Sequence, residues 1–182
     1  MRHVHRIRHI CLFTAVHTVE HDTTPTRAGI ITVVPFVLAC LAVGGISAAL
    51  SATGLREWYP TLVRPAFAPP DWLFGPVWTV LYVMMGVAAW MVWRERREAD
   101  VRVQLTLFVT QLLVNGAWSW VFFGLRRPGL ALGVIGALLL LIVMTALAFG
   151  RVRRSAAWLM TPYLAWVSFA ACLNYSFWQL NR

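Results

Sequence analysis

Lysine is missing from the 182 residues, charged residues of every kind make up only 13%, and five long stretches carry no charge at all. A water-soluble domain is typically about one quarter charged, so this scarcity disfavours that class before any motif is read. The uncharged stretches lie between Arg27 and Arg56, Asp71 and Arg94, Arg102 and Arg126, Arg127 and Arg151, and Arg154 and Arg182. Each reaches the roughly 20 residues that an α-helix needs to cross about 30 Å of hydrocarbon. Membrane β-strands would be about 10 residues long with alternating polarity, and these runs are longer and do not alternate. Backbone groups in lipid must be satisfied within their own segment, which requires continuous helices. The sequence therefore predicts an all-α integral membrane bundle of five transmembrane helices, over residues 30–50, 72–93, 103–123, 129–149 and 156–179.

Other absences narrow the chemistry. Inside the spans there is no lysine, histidine or carboxylate, so a proton relay or charge-coupled carrier lacks its parts. No histidine is placed to ligate haem iron within the membrane, and Cys40 or Cys172 would have to serve instead. There is no Ser–His–Asp set, P-loop or metalloprotease motif. The cysteines Cys11, Cys40 and Cys172 are too scattered for a disulfide framework or a zinc site. All five histidines fall among the first 27 residues, irregularly spaced and mixed with arginines. Residues 1–29 are accordingly expected to be a disordered extension without essential function, and residues 30–182 the membrane domain.

What charge there is comes as arginine. The net charge of +9 and pI near 11 do not imply nucleic acid, because no basic face is interleaved with a soluble fold. Of the 16 basic residues, only Arg56, Arg64, Arg126, Arg127 and Arg182 fall on the side of the first and third connections and the C-terminus. The larger share flanks the other side. By the excess of basic residues in cytoplasmic loops, the N-terminus is inside and the C-terminus outside, in a cytoplasmic membrane. In a bacterial outer membrane, the other possible location, that rule has no force.

Aromatic residues are abundant, with 10 tryptophans. Trp58, Trp72, Trp93, Trp158 and Trp178 fall near span ends, where an interfacial belt explains them. Trp78, Trp118, Trp120 and Trp166 lie deeper, where a belt does not. Helical spacing lines them up in stripes: Trp78, Tyr82 and Met85; Gln111, Asn115, Trp118 and Phe122; Pro162, Trp166, Ala170, Asn174 and Trp178. Each stripe mixes rings with amides or small residues, which suits a bundle interior as packing or as the wall of a ligand cavity. Residues 56–71, with four prolines and three aromatics, read as a stiff loop lying over the helix ends as a lid, with Arg56 and Arg64 at its mouth. The nearly pure aliphatic fourth span reads as a lipid-facing scaffold. Gly129-x-x-x-Gly133 has the spacing of a close helix–helix contact, within the chain or in a dimer.

Taken in order, Trp58-Tyr59, Arg64-Pro65, Pro69-Pro70, Trp72, Pro76-Val-Trp-Thr-Val-Leu-Tyr82 and Gly86 resemble the hallmark of the translocator protein family (TspO/MBR, the tryptophan-rich sensory proteins). Asn115-Gly-Ala-Trp-Ser-Trp120, Pro162-Tyr-Leu-Ala-Trp166 and Leu173-Asn-Tyr-Ser-Phe-Trp-Gln-Leu-Asn181 resemble its third and fifth helices. The resemblance covers residues 30–181 and implies a five-helix bundle, commonly dimeric, binding porphyrins and related flat apolar ligands beneath the first loop. Carried over by motif, the lining would include Trp58, Tyr59, Pro69, Trp78 and Tyr82, then Asn115, Trp118, Ser119 and Trp166. The stripes add Phe122 and Ala170 to this set. Sterol affinity is not expected, since Arg182 comes too far after Tyr175 for the family's weak sterol pattern.

The resemblance thus implies a bacterial-type membrane sensor or regulator that binds protoporphyrin IX, needs no obligatory cofactor or metal, and forms a homodimer in lipid. The alternatives are a light-dependent porphyrin-degrading enzyme, with Trp78, Trp118 and Trp166 as photochemical candidates, and a transporter of tetrapyrroles or sterols. The transporter is the weakest, for want of broken helices paired across repeats. The arginine distribution carries its own test. A reporter active only outside the cytoplasm should work when fused after Arg182 and stay silent when inserted between Arg94 and Arg102. The reverse pattern would invert the topology.

Overall fold

The computed structural model describes residues 32–182. The expected extension, its histidines and Cys11 lie outside the described residues. Among the described residues, five helices are long and apolar enough to cross a membrane. They are α1 (Val34–Thr53), α2 (Asp71–Arg94), α3 (Arg102–Ser119), α4 (Pro128–Val152) and α5 (Arg154–Leu180). α1 and α4 begin with proline in the first turn, where the missing N–H has no helical partner to lose. α4 ends where Arg153 becomes extended, and α5 starts at the next residue. The Arg153 guanidinium donates to Glu95 at 2.9 Å, tying this corner to the end of α2.

One boundary differs from the sequence expectation, and an irregularity in a second helix lies at the same end of the bundle. α1 continues beyond Thr53 through a π-helical turn (Gly54–Trp58) and a 3-10 turn (Tyr59–Thr61). The helical rod therefore runs Val34–Thr61, and the loop expected over residues 56–71 is shortened to residues 62–70. α3 likewise continues through a π-helical turn, Trp120–Gly124. The extra residue in a π turn rotates the side chains beyond it about the helix axis, and the two wide turns pack on each other. Gly54 makes this possible, since a Cβ there would run into the Phe123 carbonyl.

The helices close into a ring in the order α1, α2, α5, α4, α3, with α3 returning to α1. The core is mostly aliphatic at its centre. Met85, Ala88, Ala89 and Val92 of α2 meet Leu138, Ile142 and Phe149 of α4 and Met160 of α5. The fourth span is lipid-facing on one side only: Leu130, Leu140 and Leu147 are exposed, whereas Ile135, Leu138, Ile142 and Phe149 are buried. α1 is the more peripheral helix, burying Cys40, Ser47 and Ser51 alone. The expected small-residue contact on α4 is divided: Gly129 lies beneath the Trp178 indole, while Gly133 faces open space.

Pro76 and Pro162 lie inside α2 and α5 rather than in first turns where a missing N–H is free. Each removes one backbone hydrogen bond, a defect that packed membrane helices tolerate. Gly86 sets the approach of α1 to α2, because a Cβ there would sit 2.6 Å from the Val37 Cα. We expect Gly86→Ala to force the two backbones apart and cost about 1–3 kcal/mol, as overpacking does. Gly133→Ala, with nothing within 4 Å, should be near neutral. Thermal unfolding of both variants in detergent checks this, and equal midpoints would refute the close-approach argument.

Candidate functional site

The end of the bundle that carries both wide turns also carries the lid, the start of α2 and the end of α5. A chain of hydrogen bonds runs beneath it. The Tyr82 hydroxyl donates to Asn115 Oδ1 at 2.6 Å, and Asn115 Nδ2 donates to the Tyr163 hydroxyl at 3.1 Å. Tyr163 in turn donates to Gln111 Oε1 at 2.9 Å, and Gln111 Nε2 approaches the Met85 sulfur at 3.8 Å. All five residues are buried. Unpaired amides and hydroxyls would be costly in such surroundings, so the chain locks α2, α3 and α5 to one another in rotation.

Rings are stacked on this chain toward the lid. Trp78 lies 5.6 Å from Tyr82 and 6.3 Å, edge-on, from Tyr163. One helical turn nearer the lid, Phe74 meets Trp166 at 5.8 Å, again across the seam of α2 and α5. On the α3 side, the Trp118 indole donates to Asn174 Oδ1 at 3.1 Å, and Asn174 Nδ2 donates to the Pro128 carbonyl. Phe122 joins Trp118, Trp58 and Phe177 at 5.9–6.0 Å. Tyr59 closes the cluster against Phe123 and Phe177.

Most of the sequence-derived candidates are therefore brought together, in two layers. The deeper layer holds Trp78, Tyr82 and Asn115, with Ala170 buried in the same core. The layer under the lid holds Trp58, Tyr59, Trp118 and Phe122. Trp166 sits at the α2–α5 seam, where it also lines an apolar groove of about 600 Å³ with Pro76, Val80, Met84 and Pro162. Among the described residues, its indole N–H is buried without a hydrogen-bond partner. Pro69 contributes its carbonyl, which Arg64 approaches at 3.4 Å. Ser119 goes elsewhere: its hydroxyl pairs with that of Ser51 at 3.0 Å, between α3 and α1.

Not every expected position holds. Trp120, read as deep, lies on the wide turn and is 43% exposed. Of the belt tryptophans, Trp72 and Trp158 are the most exposed, as their place at span ends requires. The α5 stripe at strict four-residue spacing also fails to stay on one face. Four residues advance a helix by about 400°, so each step drifts about 40°. Pro162 therefore faces the α2 groove and Trp178 packs on α4, while the buried face follows Met160, Tyr163, Val167, Ala170 and Asn174. Tyr163 is the inward-facing member of the buried polar chain that the stripe missed. Its signal was spacing that alternates between three and four, the rhythm already visible in Gln111, Asn115, Trp118 and Phe122.

Arg64 is committed to the lid itself. It donates to both Asp71 carboxylate oxygens, at 2.5 and 3.2 Å, and its guanidinium lies over the Tyr59 ring at 5.4 Å. The hydrogen bond to Asp71 raises its pKa above the ordinary value. The pair is exposed, so its role is geometric more than stabilising. Arg56 stays exposed on the outer turn.

Disrupting the buried chain gives a direct test. Tyr163→Phe leaves the Asn115 donor and the Gln111 acceptor unpaired, and should destabilise by about 1–3 kcal/mol. Adding Asn115→Ala to it should cost less than the sum of the single effects, since the groups share one network. Additive unfolding energies would show that the residues act independently.

The sequence matches the model of the TspO/MBR family over residues 36–179. It is 46% identical over 143 residues to the tryptophan-rich protein TspO of Chlorobaculum tepidum, covering 78% of this chain and 90% of that one. It is 38% identical over 152 residues to the tryptophan-rich protein TspO of Archaeoglobus fulgidus, covering 84% and 98%. With the human translocator protein it shares 41% identity over 131 residues, covering 71% and 77%.

Proposed function

This chain belongs to the TspO/MBR family, and on that footing we propose that it is a membrane sensor or regulator that binds a porphyrin beneath its lid. The observation that carries the reading is the convergence of rings from α1, α2, α3 and α5 under one short proline-rich segment. Flat tetrapyrroles stack well on such rings, and aromatic contacts of this kind contribute about 0.5–1.5 kcal/mol each beyond area burial. The unpartnered indole N–H of Trp166 adds a buried donor for an acceptor on the ligand. The rings touch one another, so a ligand enters by parting them and the lid above. Protoporphyrin IX is the probe of choice, and a homodimer in a cytoplasmic membrane belongs to the same reading.

A second reading, light-driven porphyrin degradation, is favoured by one feature. Trp78 stands in ring contact with the phenols of Tyr82 and Tyr163. An indole that gives an electron to a photoexcited porphyrin then has two phenols at hand to restore it, and the phenoxyl radical formed with loss of a proton is reduced by an exogenous reductant before the next turnover.

Titrating the detergent-solubilised protein with protoporphyrin IX in darkness should quench tryptophan fluorescence saturably. Trp78→Phe and Trp166→Phe should each weaken binding roughly 3- to 10-fold while leaving the fold intact. Unchanged affinity in both variants would sink the pocket assignment. Illumination that consumes many equivalents of porphyrin per protein would move the reading to the enzyme, and stoichiometric bleaching would end it.

A further inference from the structure

Residues 62–70 cross from the end of the α1 rod to the start of α2; Pro65 is buried, but the segment has few hydrogen bonds of its own. Pro65, Pro69 and Pro70 lack N–H groups, and the segment's internal backbone bonding is one turn, from the Ala68 N–H to the Pro65 carbonyl at 3.0 Å. Arg64 ties it to Asp71 and to Pro69, but these partners lie within the segment or at its own exit. Such ties stiffen the strap without fastening it to the far wall of the bundle.

One side chain does fasten it. The Val63 N–H donates to Asn181 Oδ1 at 2.8 Å, and Asn181 Nδ2 donates to the Val63 carbonyl at 3.1 Å. A single amide thus pairs with both backbone groups of one residue, as a neighbouring β-strand would. The same Nδ2 also donates to the Phe177 carbonyl at 2.9 Å, which fixes the amide on the last turn of α5. Among the described residues, the side-chain hydrogen bonds from residues 62–70 to α5 are both made by Asn181. The remaining hold is apolar: Phe67 lies edge-on to Phe169 at 6.2 Å, and Leu62 and Ala68 pack against the cluster that includes Leu173 and Phe177 of α5.

We infer that Asn181 is a positioning residue that latches this strap over the aromatic cluster and thereby sets how fast a ligand exchanges. The inference rests on the porphyrin reading for its ligand, though not for the latch. Asn181 lies at the solvent-facing end, with Val63 58% exposed, so water can replace both hydrogen bonds when the strap lifts. The latch therefore yields thermally rather than sealing the site. Removing it multiplies the population of the open strap without touching the rings that would hold the ligand. Entry and exit then accelerate together while affinity stays put, a pattern that loss of a lining residue cannot produce.

The test compares full-length wild type with Asn181→Ala and Asn181→Leu in nanodiscs. Without ligand, amide hydrogen exchange at residues 62–68 should quicken about tenfold in both variants, the factor that losing two water-exposed hydrogen bonds implies. Protection in the middle of α2 and α5 should be unchanged, which separates unlatching from unfolding. Stopped-flow quenching by protoporphyrin IX should show association and dissociation both faster by a similar factor, with Kd within about twofold. Strap exchange at the wild-type rate would overturn the latch. Faster strap exchange with unchanged porphyrin rates would overturn its control of ligand passage. If wild type binds no porphyrin, the porphyrin reading and the rate control fall together, and hydrogen exchange still decides the latch.

Discussion

Five helices in a hydrocarbon setting gain little from burying apolar surface against one another, because lipid is as apolar as leucine. Their rotation and register must come from shape and from polar groups that find partners only in one arrangement. Here that constraint is the buried chain of Tyr82, Asn115, Tyr163 and Gln111, which joins α2, α3 and α5 at a single depth. A slip of one residue turns a helix by about 100° and would leave an amide facing methyl groups. With those helices fixed, Trp78, Trp118 and Trp166 have their directions decided as well. The aromatic layers under the lid are a consequence of the polar chain below them.

The two ends of the bundle are built differently. At one end the connections are short and polar, with Arg153 bridging to Glu95 across a one-residue break between α4 and α5. At the other, α1 and α3 both widen into π turns, held together where Gly54 admits the Phe123 carbonyl and Glu57 faces Arg126 at 3.5 Å. Arg126 itself takes a left-handed backbone at φ 57, unusual for a residue with a Cβ, and this turns the chain sharply from α3 into α4. Irregular helix ends cost regular hydrogen bonds. What they obtain is the inward placement of Trp58, Tyr59 and Phe122, which straight helices would have sent to other faces. The departure from ideal geometry is confined to the end where the candidate site lies, the common place for π turns to appear.

The strap completes that end. Its prolines keep it stiff, Arg64 holds its shape, and Asn181 fastens it to α5 by two hydrogen bonds at the water boundary. A lid made this way is defined in position, and water can replace its two hydrogen bonds to α5 when it lifts. Both properties suit a site whose rings already fill the space that a ligand would occupy.

Uncharged runs bounded by charged residues were enough to determine five membrane helices and their approximate limits, because the energy of placing charge in lipid is large and depends on composition alone. Short-range periodicity on α2 and α3 was also decisive, since spacings of three and four keep residues on one face. Three things lay beyond it. The strict four-residue stripe on α5 walks around the helix, so only packing showed that Tyr163 faces inward and Pro162 does not. The π turns that carry Trp58 and Trp120 depend on contact between α1 and α3, and no local pattern announces them. The pairing of Asn181 with Val63 joins residues 118 positions apart, by a hydrogen bond whose energy is the same for any partner of the right chemistry. Sequence could name the groups able to bond. Only the tertiary structure, by bringing the strap to the end of α5, decided which of them did.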